Sequence, residues 1–382
     1  MASPETSSPD WSNLPAEVLV SFLKRLPVVD HVHFGAVCAS WCSAAARCPG
    51  LPKPPSPWLL FRSYDPFGDR IVWDDEACAF LAFPDSKKYS IRLPNVRYRY
   101  CIGSSNGWLV VVGDDGELCL LNPISGAVFA LPRFVRSPDE AGESWYSSKA
   151  AVSSGAPPSM GGYTVAMIRK YSNKLAVAGD RDHSWTVLEV PDRRLVDVAF
   201  HNGRVFVLAG DGTAVVCDLA GGTSPLPVVT GVVSRSLEEG VLRQDAVETD
   251  YLYLVGSLPG GLLLVLRRSW NTRFCDGTAR YKTEEIEAFV LDDDGYKWRK
   301  VESLRGSALF VGDNFSSFCV TGSPEFGRNC VYLSDEGREH NVGAFDMENR
   351  KMEICHVNND GKNWWEWSPI WFMPSLLEEC KQ

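Results

Sequence analysis

Few stretches of this 382-residue chain space their side chains in a way that could do metal or nucleophile chemistry. Asp292-Asp293-Asp294-Gly295 looks like the start of a calcium loop, in which alternate oxygen ligands and a final bidentate Glu surround the ion. The fifth position, however, is Tyr296 and the twelfth is Ser303, so the ligand set fails and the run is read as a hairpin turn. His31-x-His33 cannot put both imidazoles on one helix face, and no Cys or carboxylate cluster accompanies it at a zinc spacing. No G-x-x-x-x-G-K-[ST], strand–helix G-x-G-x-x-G or G-x-S-x-G occurs, so neither a phosphate cradle nor a nucleophile elbow is encoded. The six histidines are scattered. The expectation is a chain with no catalytic residues, no metal and no cofactor, whose chemistry is that of binding.

The stretch best suited to binding is Asp10 to Cys48, a short helical module dense in apolar side chains. Ser12 and Asn13 can cap a helix start, Pro15 has the φ of a first turn, and Glu17 suits the positive helix end. Val18, Leu19, Phe22, Leu23 and Leu26 then recur at helical spacing, and Pro27 stops the helix. A second helical stretch after Asp30 is expected to align Val37, Cys38, Trp41, Ala45 and Cys48, ending at Pro49-Gly50. A module of about forty residues covers that much apolar side chain with difficulty. Either both stripes dock onto the rest of the chain, or part of the surface fits a partner's groove.

The run Leu14-Pro15-x-Glu17-Val18-Leu19-x-x-Phe22-Leu23-x-x-Leu26-Pro27-x-x-Asp30, followed by Val37-Cys38-x-x-Trp41, resembles an F-box. His31 stands where that family usually has Leu, and Ala39 and Cys42 replace its common basic residues around Trp41. The resemblance implies binding to the Skp adaptor, and through it the cullin, of a Skp–cullin–F-box ubiquitin ligase. It assigns adaptor contact to Leu14, Pro15, Val18, Leu19, Phe22, Leu23 and Leu26; Val37, Cys38 and Trp41 are expected to hold the helices together, with adaptor contact by some of them as the alternative.

Bulk composition narrows the rest. Apolar content of 45% and charged content of 23% are those of a globular protein. A net charge of −10 disfavours general binding to nucleic acid or acidic membranes, because both attract basic faces. The polar start MASPETSSPDWS does not read as a signal peptide, and no run of apolar residues is long enough for a membrane span. The twelve cysteines are scattered without a C-x-x-C, so they are read as reduced, mostly buried small apolar residues of a cytoplasmic or nuclear protein.

Residues 1–10 are expected to be disordered, 11–48 form the module, and 49–57 (PGLPKPPSP, five prolines) make a stiff spacer. From Trp58 the periodicity becomes strand-like. CIGSSNG, WLVVV, ELCLL and AVFALP, between residues 101 and 132, read as four strands joined by tight turns. Similar units follow over 163–190, 194–230, 250–302 and 308–357, with a partial one between Trp58 and Pro94. Repeats of four-stranded meanders predict a β-propeller over 58–377, with about six blades and five or seven possible; a β-sandwich is the competing architecture. The whole is mainly β, a multidomain α+β chain with a small helical head. The aromatic segment Trp364 to Phe372 is expected either to close the ring or to form an aromatic ligand shelf. GWLVVV-x-x-x-GELCLLNP-x-x-G together with WSPIWFMPSL resembles the propeller-like domain that follows the F-box in a large plant family.

Three segments read as irregular insertions: Arg136–Gly162, Ser234–Glu248 and Arg267–Thr283. The last interleaves five basic residues with Trp270, Phe274 and Tyr281. Trp270, Arg273, Phe274, Arg280 and Tyr281 could grip a partner's acidic segment or a nucleic acid, or could belong to a solvated hairpin extension. The leading expectation is a substrate receptor of a Skp–cullin–F-box ligase, with an unknown target on the propeller. The alternatives are a scaffold or lectin-like module with a vestigial F-box, and, third, an enzyme using the propeller's central funnel.

Overall fold

In a computed structural model of the chain the described residues are 10–26, 28–46, 56–61, 77–93, 99–113, 115–135, 145, 148–153, 162–169, 172–190, 193–218, 228–233, 248–258, 261–273, 279–292, 297–312, 317–336, 341–356 and 369–375. Residues 1–9 of the expected disordered start and 49–55 of the spacer lie outside them, as do residues 234–247 and 364–368.

The head has three helices rather than two: α1 (Ala16–Leu23), α2 (Val28–Gly35) and α3 (Ala39–Ala46), preceded by a 3-10 turn at Trp11–Asn13. The stretch read as one helix after Asp30 breaks where α2 ends at Gly35, a residue with a high entropic cost in helices.

The body is a six-bladed propeller. Chain order gives β1 (Trp58–Phe61), β2 (Ala77–Ala82) and β3 (Lys87–Arg92) to the first blade, then β4 (Arg99–Ser105), β5 (Trp108–Gly113), β6 (Leu118–Leu121) and β7 (Val128–Ala130) to the second. The third holds β8 (Ser148–Val152), β9 (Thr164–Arg169), β10 (Lys174–Gly179) and β11 (Thr186–Glu189). The fourth holds β12 (Leu195–His201), β13 (Arg204–Ala209), β14 (Ala214–Asp218) and β15 (Val228–Val233). The fifth holds β16 (Glu248–Leu258), β17 (Gly261–Arg273), β18 (Ala279–Leu291) and β19 (Trp298–Val301). The sixth holds β20 (Ala308–Val311), β21 (Phe318–Val320), β22 (Cys330–Glu336), β23 (Asn341–Asp346) and β24 (Lys351–His356), and the last strand is β25 (Ile370–Phe372).

Two expectations change. The segment 136–162 is not wholly an insertion: it supplies β8, whose SKAAV side chains are all buried and complete the third blade. Small residues let inner strands approach closely there: a Cβ on Gly103 of β4 would lie 2.1 Å from the Ala150 carbonyl oxygen of β8. The sixth blade is not a plain meander either, since its five strands run β21-β20-β22-β23-β24 with β20 and β22 parallel.

Strand sequences follow their place in the ring. β5, which reads WLVVVG, is buried along its whole length because neighbouring blades cover both faces. The outermost β3, β7 and β11 alternate between exposed and half-buried residues, as strands with a wet side do. Six apolar clusters fill the six seams between blades, so the core is a ring of interfaces and not one central mass. At Asn106-Gly107 and Asn202-Gly203 both turn residues have positive φ, the geometry that two-residue hairpins need. Gly107 is doubly constrained, because a Cβ there would strike the Ser375 side chain at 1.7 Å.

Closure uses the two ends of the body. β25 pairs antiparallel with β1, in the register Trp58↔Phe372 and Leu60↔Ile370, and so completes the partial first blade. Trp371 is buried against Phe83 and Phe310, and Ser104 Oγ donates to its carbonyl at 2.5 Å. Beyond it Asn122, of the LLNP run, donates to the Ser375 carbonyl at 3.2 Å while its Oδ1 accepts from the amides of Ile124 and Ser125. Of the two uses considered for the C-terminal aromatics, Trp371 and Phe372 serve the latch.

Three successive blades are stitched at the axis by one carboxylate. Asp197 of β12 pairs with Lys149 of β8 at 2.7 Å, and both side chains are 1% exposed. Its second oxygen accepts the Leu254 amide of β16 at 2.8 Å. Replacing Asp197 with Ala would take its carboxylate from a buried ammonium, and losses of this kind run to about 3–5 kcal/mol. Denaturant unfolding should therefore show Asp197→Ala much less stable, with Asp197→Leu/Lys149→Met recovering most of the loss. Equal stability of Asp197→Ala and the wild type would contradict this role.

Candidate protein-binding site

The helical head is built to hide one row of α1 and expose the next. Pro15 has no amide hydrogen, and its carbonyl accepts the amides of Val18 and Leu19 to open the helix. Asp10, rather than Ser12 or Asn13, caps the preceding turn by accepting the Ser12 amide at 3.1 Å. The Ser12 hydroxyl, together with the amides it accepts, holds the Asp10 carboxyl below its ordinary pKa. Leu19 and Leu23, four residues apart, point inward with 1% and 0% exposure onto Phe34 and Ala44. Leu14, Leu26, Trp41 and Ala45 pack around that cluster, and no propeller residue among the described ones belongs to it. Trp41 lies 4.3 Å from the Phe34 ring, its indole nitrogen donates to the Trp11 carbonyl at 2.9 Å, and Ser40 ties α3 to the Ser12 carbonyl.

Val18 and Phe22 form the neighbouring row and remain 38% and 45% exposed, with Pro15 also exposed. The seven residues assigned to adaptor contact therefore divide. Pro15, Val18 and Phe22 face outward, Leu14 and Leu26 are half-buried, and Leu19 and Leu23 are corrected to the module's own core. Among the three assigned to packing, Trp41 packs and Cys38 is half-buried. Val37 stands 58% exposed between α2 and α3, outside the helix-to-helix packing and within reach of a partner. Two residues escaped the pattern reading. His31 is buried, and Trp11, at 61% exposure, adds an aromatic surface beside Trp41. A lone Trp ahead of the helix start was the only available signal for the latter.

The basic-aromatic segment is not a loop among the described residues. β17 and β18 remain paired through it, from Arg267↔Ile286 to Trp270↔Lys282, Thr272↔Arg280 and Arg273↔Ala279. Trp270, Arg273, Arg280 and Tyr281 thus sit on strands, and Phe274 lies outside the described residues. Arg267 is fully buried, donating to Thr283 Oγ1 at 2.8 Å and lying over the Tyr251 ring. Arg268 binds Glu285 and Glu287 at 3.1 and 3.3 Å, and Lys300 and Arg350 engage the same two glutamates. Two of the five basic residues are therefore structural.

Among the described residues no group of three or more His, Cys, Asp or Glu side chains could hold a metal ion. The described cysteines are free thiols; Cys78, Cys101, Cys119 and Cys217 are buried, and Cys355 is exposed. Burial pushes Cys217 and Cys319 up to about 11. No described helix is long and apolar enough to cross a membrane.

A helical head with an open apolar row, in front of a six-bladed ring, defines an F-box protein with a propeller body. Comparison with known families agrees: residues 11–52 match the F-box domain, and residues 80–346 match the KIB1-4 beta-propeller. The chain belongs to the KIB1-4 propeller family of F-box proteins. It is 23% identical over 371 residues to F-box protein KIB4 of Arabidopsis thaliana, covering 89% of this chain and 86% of that protein. F-box protein SKIP23 of the same plant is 26% identical, covering 90% and 91%. F-box/kelch-repeat protein KIB1 is 23% identical, covering 85% and 77%.

The two rows of α1 respond differently to truncation. Leu23→Ala should destabilise the head by about 2–5 kcal/mol, the cost of a cavity in a small core. Phe22→Ala should change stability by only about 0.5 kcal/mol, as exposed sites do. Amide hydrogen exchange of residues 16–46 in the full chain measures both, and equal effects would overturn the division.

Proposed function

We propose that this chain is the substrate receptor of a Skp–cullin–F-box ubiquitin ligase. The observation that carries the reading is the α1 surface: the head completes its own core with Leu19 and Leu23, yet leaves Pro15, Val18 and Phe22 outside it. An apolar helical row of this kind seats in a partner's hydrophobic groove, with anchors spaced at i and i+4. Val18 and Phe22 are the anchors of this reading. Leu14 and Leu26 flank them, and Leu19 and Leu23 act indirectly by fixing the angle of α1.

The adaptor connects the receptor to the cullin, and the propeller holds a target protein. The chain breaks no bond itself. It raises the local concentration of the target's lysines near the charged conjugating enzyme, and the acceleration comes from proximity and orientation. Proline-rich composition between head and ring, of the kind that favours extended spacers, suits that task, because the separation of the two binding surfaces sets the effective concentration. A cytoplasmic or nuclear setting, where thiols stay reduced, fits the same reading.

Coexpression of the full chain with a Skp-type adaptor tests the proposal. Wild type should co-purify with the adaptor at one-to-one stoichiometry. Val18→Glu/Phe22→Glu should lose the adaptor while the ring's thermal unfolding is unchanged, and Leu14→Ala/Pro15→Ala should weaken capture. Capture undiminished by the Glu pair would contradict the proposal.

A further inference from the structure

Asn-Gly occurs twice in the chain, at Asn106-Gly107 and Asn202-Gly203, and both copies form the same kind of turn. Each joins the first strand of a blade to the second, β4 to β5 and β12 to β13. Backbone φ is 51° and 83° in the first turn, and 49° and 74° in the second. The pairs that close the two hairpins are Ser105↔Trp108 and His201↔Arg204, so neither glycine is a rung of its ladder.

Their surroundings set them apart. The Asn106 side-chain nitrogen donates to the Val152 carbonyl of β8 at 3.4 Å, and the Asn106 carbonyl accepts from Ser375 Oγ at 3.1 Å. Gly107 is buried and walled in by the same serine, since a Cβ there would lie 1.7 Å from Ser375 Oγ. Asn202 and Gly203 are both exposed, and a Cβ on Gly203 would meet nothing within 4 Å. No hydrogen bond ties the Asn202 side chain to another described residue.

The difference bears on a reaction that this dipeptide permits. The carbonyl carbon of an asparagine side chain can be attacked by the backbone nitrogen of the next residue, and glycine obstructs that approach least. The asparagine must rotate about χ1 and ψ together, and the nitrogen must give up its proton to solvent. At Asn106 the bonds to Val152 and Ser375 oppose the rotation, and burial of Gly107 keeps solvent from its nitrogen. Neither obstacle stands at Asn202 among the described residues.

We infer that Asn202 is a site of spontaneous deamidation, and that the C-terminal strap spares Asn106. The Gly203 nitrogen loses its proton to solvent and bonds to Asn202 Cγ. The Cγ–Nδ2 bond breaks, ammonia leaves, and a succinimide ring is closed. Water then adds to one of the two ring carbonyls. Cleavage of the new Cγ–N bond restores the backbone with an aspartate side chain. Cleavage of the original peptide C–N bond routes the backbone through Cγ and gives isoaspartate. No oxidant or reductant takes part, and the only reactants are the chain and water. Both products put a carboxylate next to Arg204, whose Nε already binds Asp218 Oδ1 at 2.7 Å. Aspartate-glycine suits the same turn, so the aspartate product keeps the hairpin. Isoaspartate adds a backbone atom between His201 and Arg204. It disturbs a strand that fits closely, since a Cβ on Gly256 of β16 would lie 2.5 Å from the Phe200 carbonyl oxygen. The change runs one way, so the altered fraction grows with the age of the molecule.

The experiment incubates the purified full chain in neutral and mildly alkaline buffer and follows both sites by peptide mass spectrometry. An isoaspartyl methyltransferase with a labelled methyl donor reports the isoaspartate product. In the native chain Asn202 should convert at least about fivefold faster than Asn106, the factor that one intact hydrogen bond supplies. Its conversion should speed up as pH rises, because the attacking nitrogen must be deprotonated. In chain unfolded by urea the two sites should convert at similar rates, which assigns the difference to the fold. Equal rates in the native chain, faster conversion of Asn106, no conversion of native Asn202, or the native ratio persisting in urea would each overturn the inference.

Discussion

The structure depends on three residues of backbone pairing between β1 and β25, which join the two ends of a body some three hundred residues apart in sequence. A propeller blade is stable only when both of its faces are covered. An open ring would leave two blade faces wet and two sheet edges unpaired. Pairing Ile370–Phe372 with Trp58–Leu60 removes that defect and carries Trp371 into the seam between the last and first blades. The terminal contacts of Ser375 and the Asn122 turn then hold the strand in place from outside. Loop-closure entropy rises only slowly with chain length, so a short strand with dense aromatic contacts is sufficient to secure a long loop.

The head obeys the opposite rule. Its cluster is closed by its own four buried side chains and their half-buried neighbours, with no contribution from the described residues of the ring. The outward row of α1 is left over after that core is satisfied. This is the physical basis for assigning it to another polypeptide: a partner can cover Val18 and Phe22 without disturbing Leu19 or Leu23. The ring, by contrast, is finished by its own chain.

Much of this was legible in the sequence. Hairpin turns such as Asn106-Gly107 and Asn202-Gly203, continuous apolar strands and the repeat length gave the blades, and Trp371-Phe372 marked the latch. The third blade was the exception, because Ser148–Val152 is a short, small-residue strand inside a Ser- and Gly-rich stretch. It earns its place only by fitting closely against Gly103, a contact between distant residues. The parallel pairing of β20 with β22 was equally hidden, since strand periodicity carries no information about direction. In the head the F-box spacing located α1, but a stripe read at i, i+1, i+4 and i+5 merges two rows a helical step apart. Only the packing of Phe34 and Ala44 separates Leu19 and Leu23 from Val18 and Phe22. Val37 is exposed for the related reason that α2 ends before it.

The ring that is complete and the helix row that is not can be distinguished in one measurement: amide hydrogen exchange of the full chain with and without a Skp-type adaptor. The account predicts slower exchange across Ala16–Leu23 on adding the adaptor, with no change in β1, β25 or the inner strands. Unchanged exchange in α1, or adaptor-induced protection confined to the ring, would contradict it.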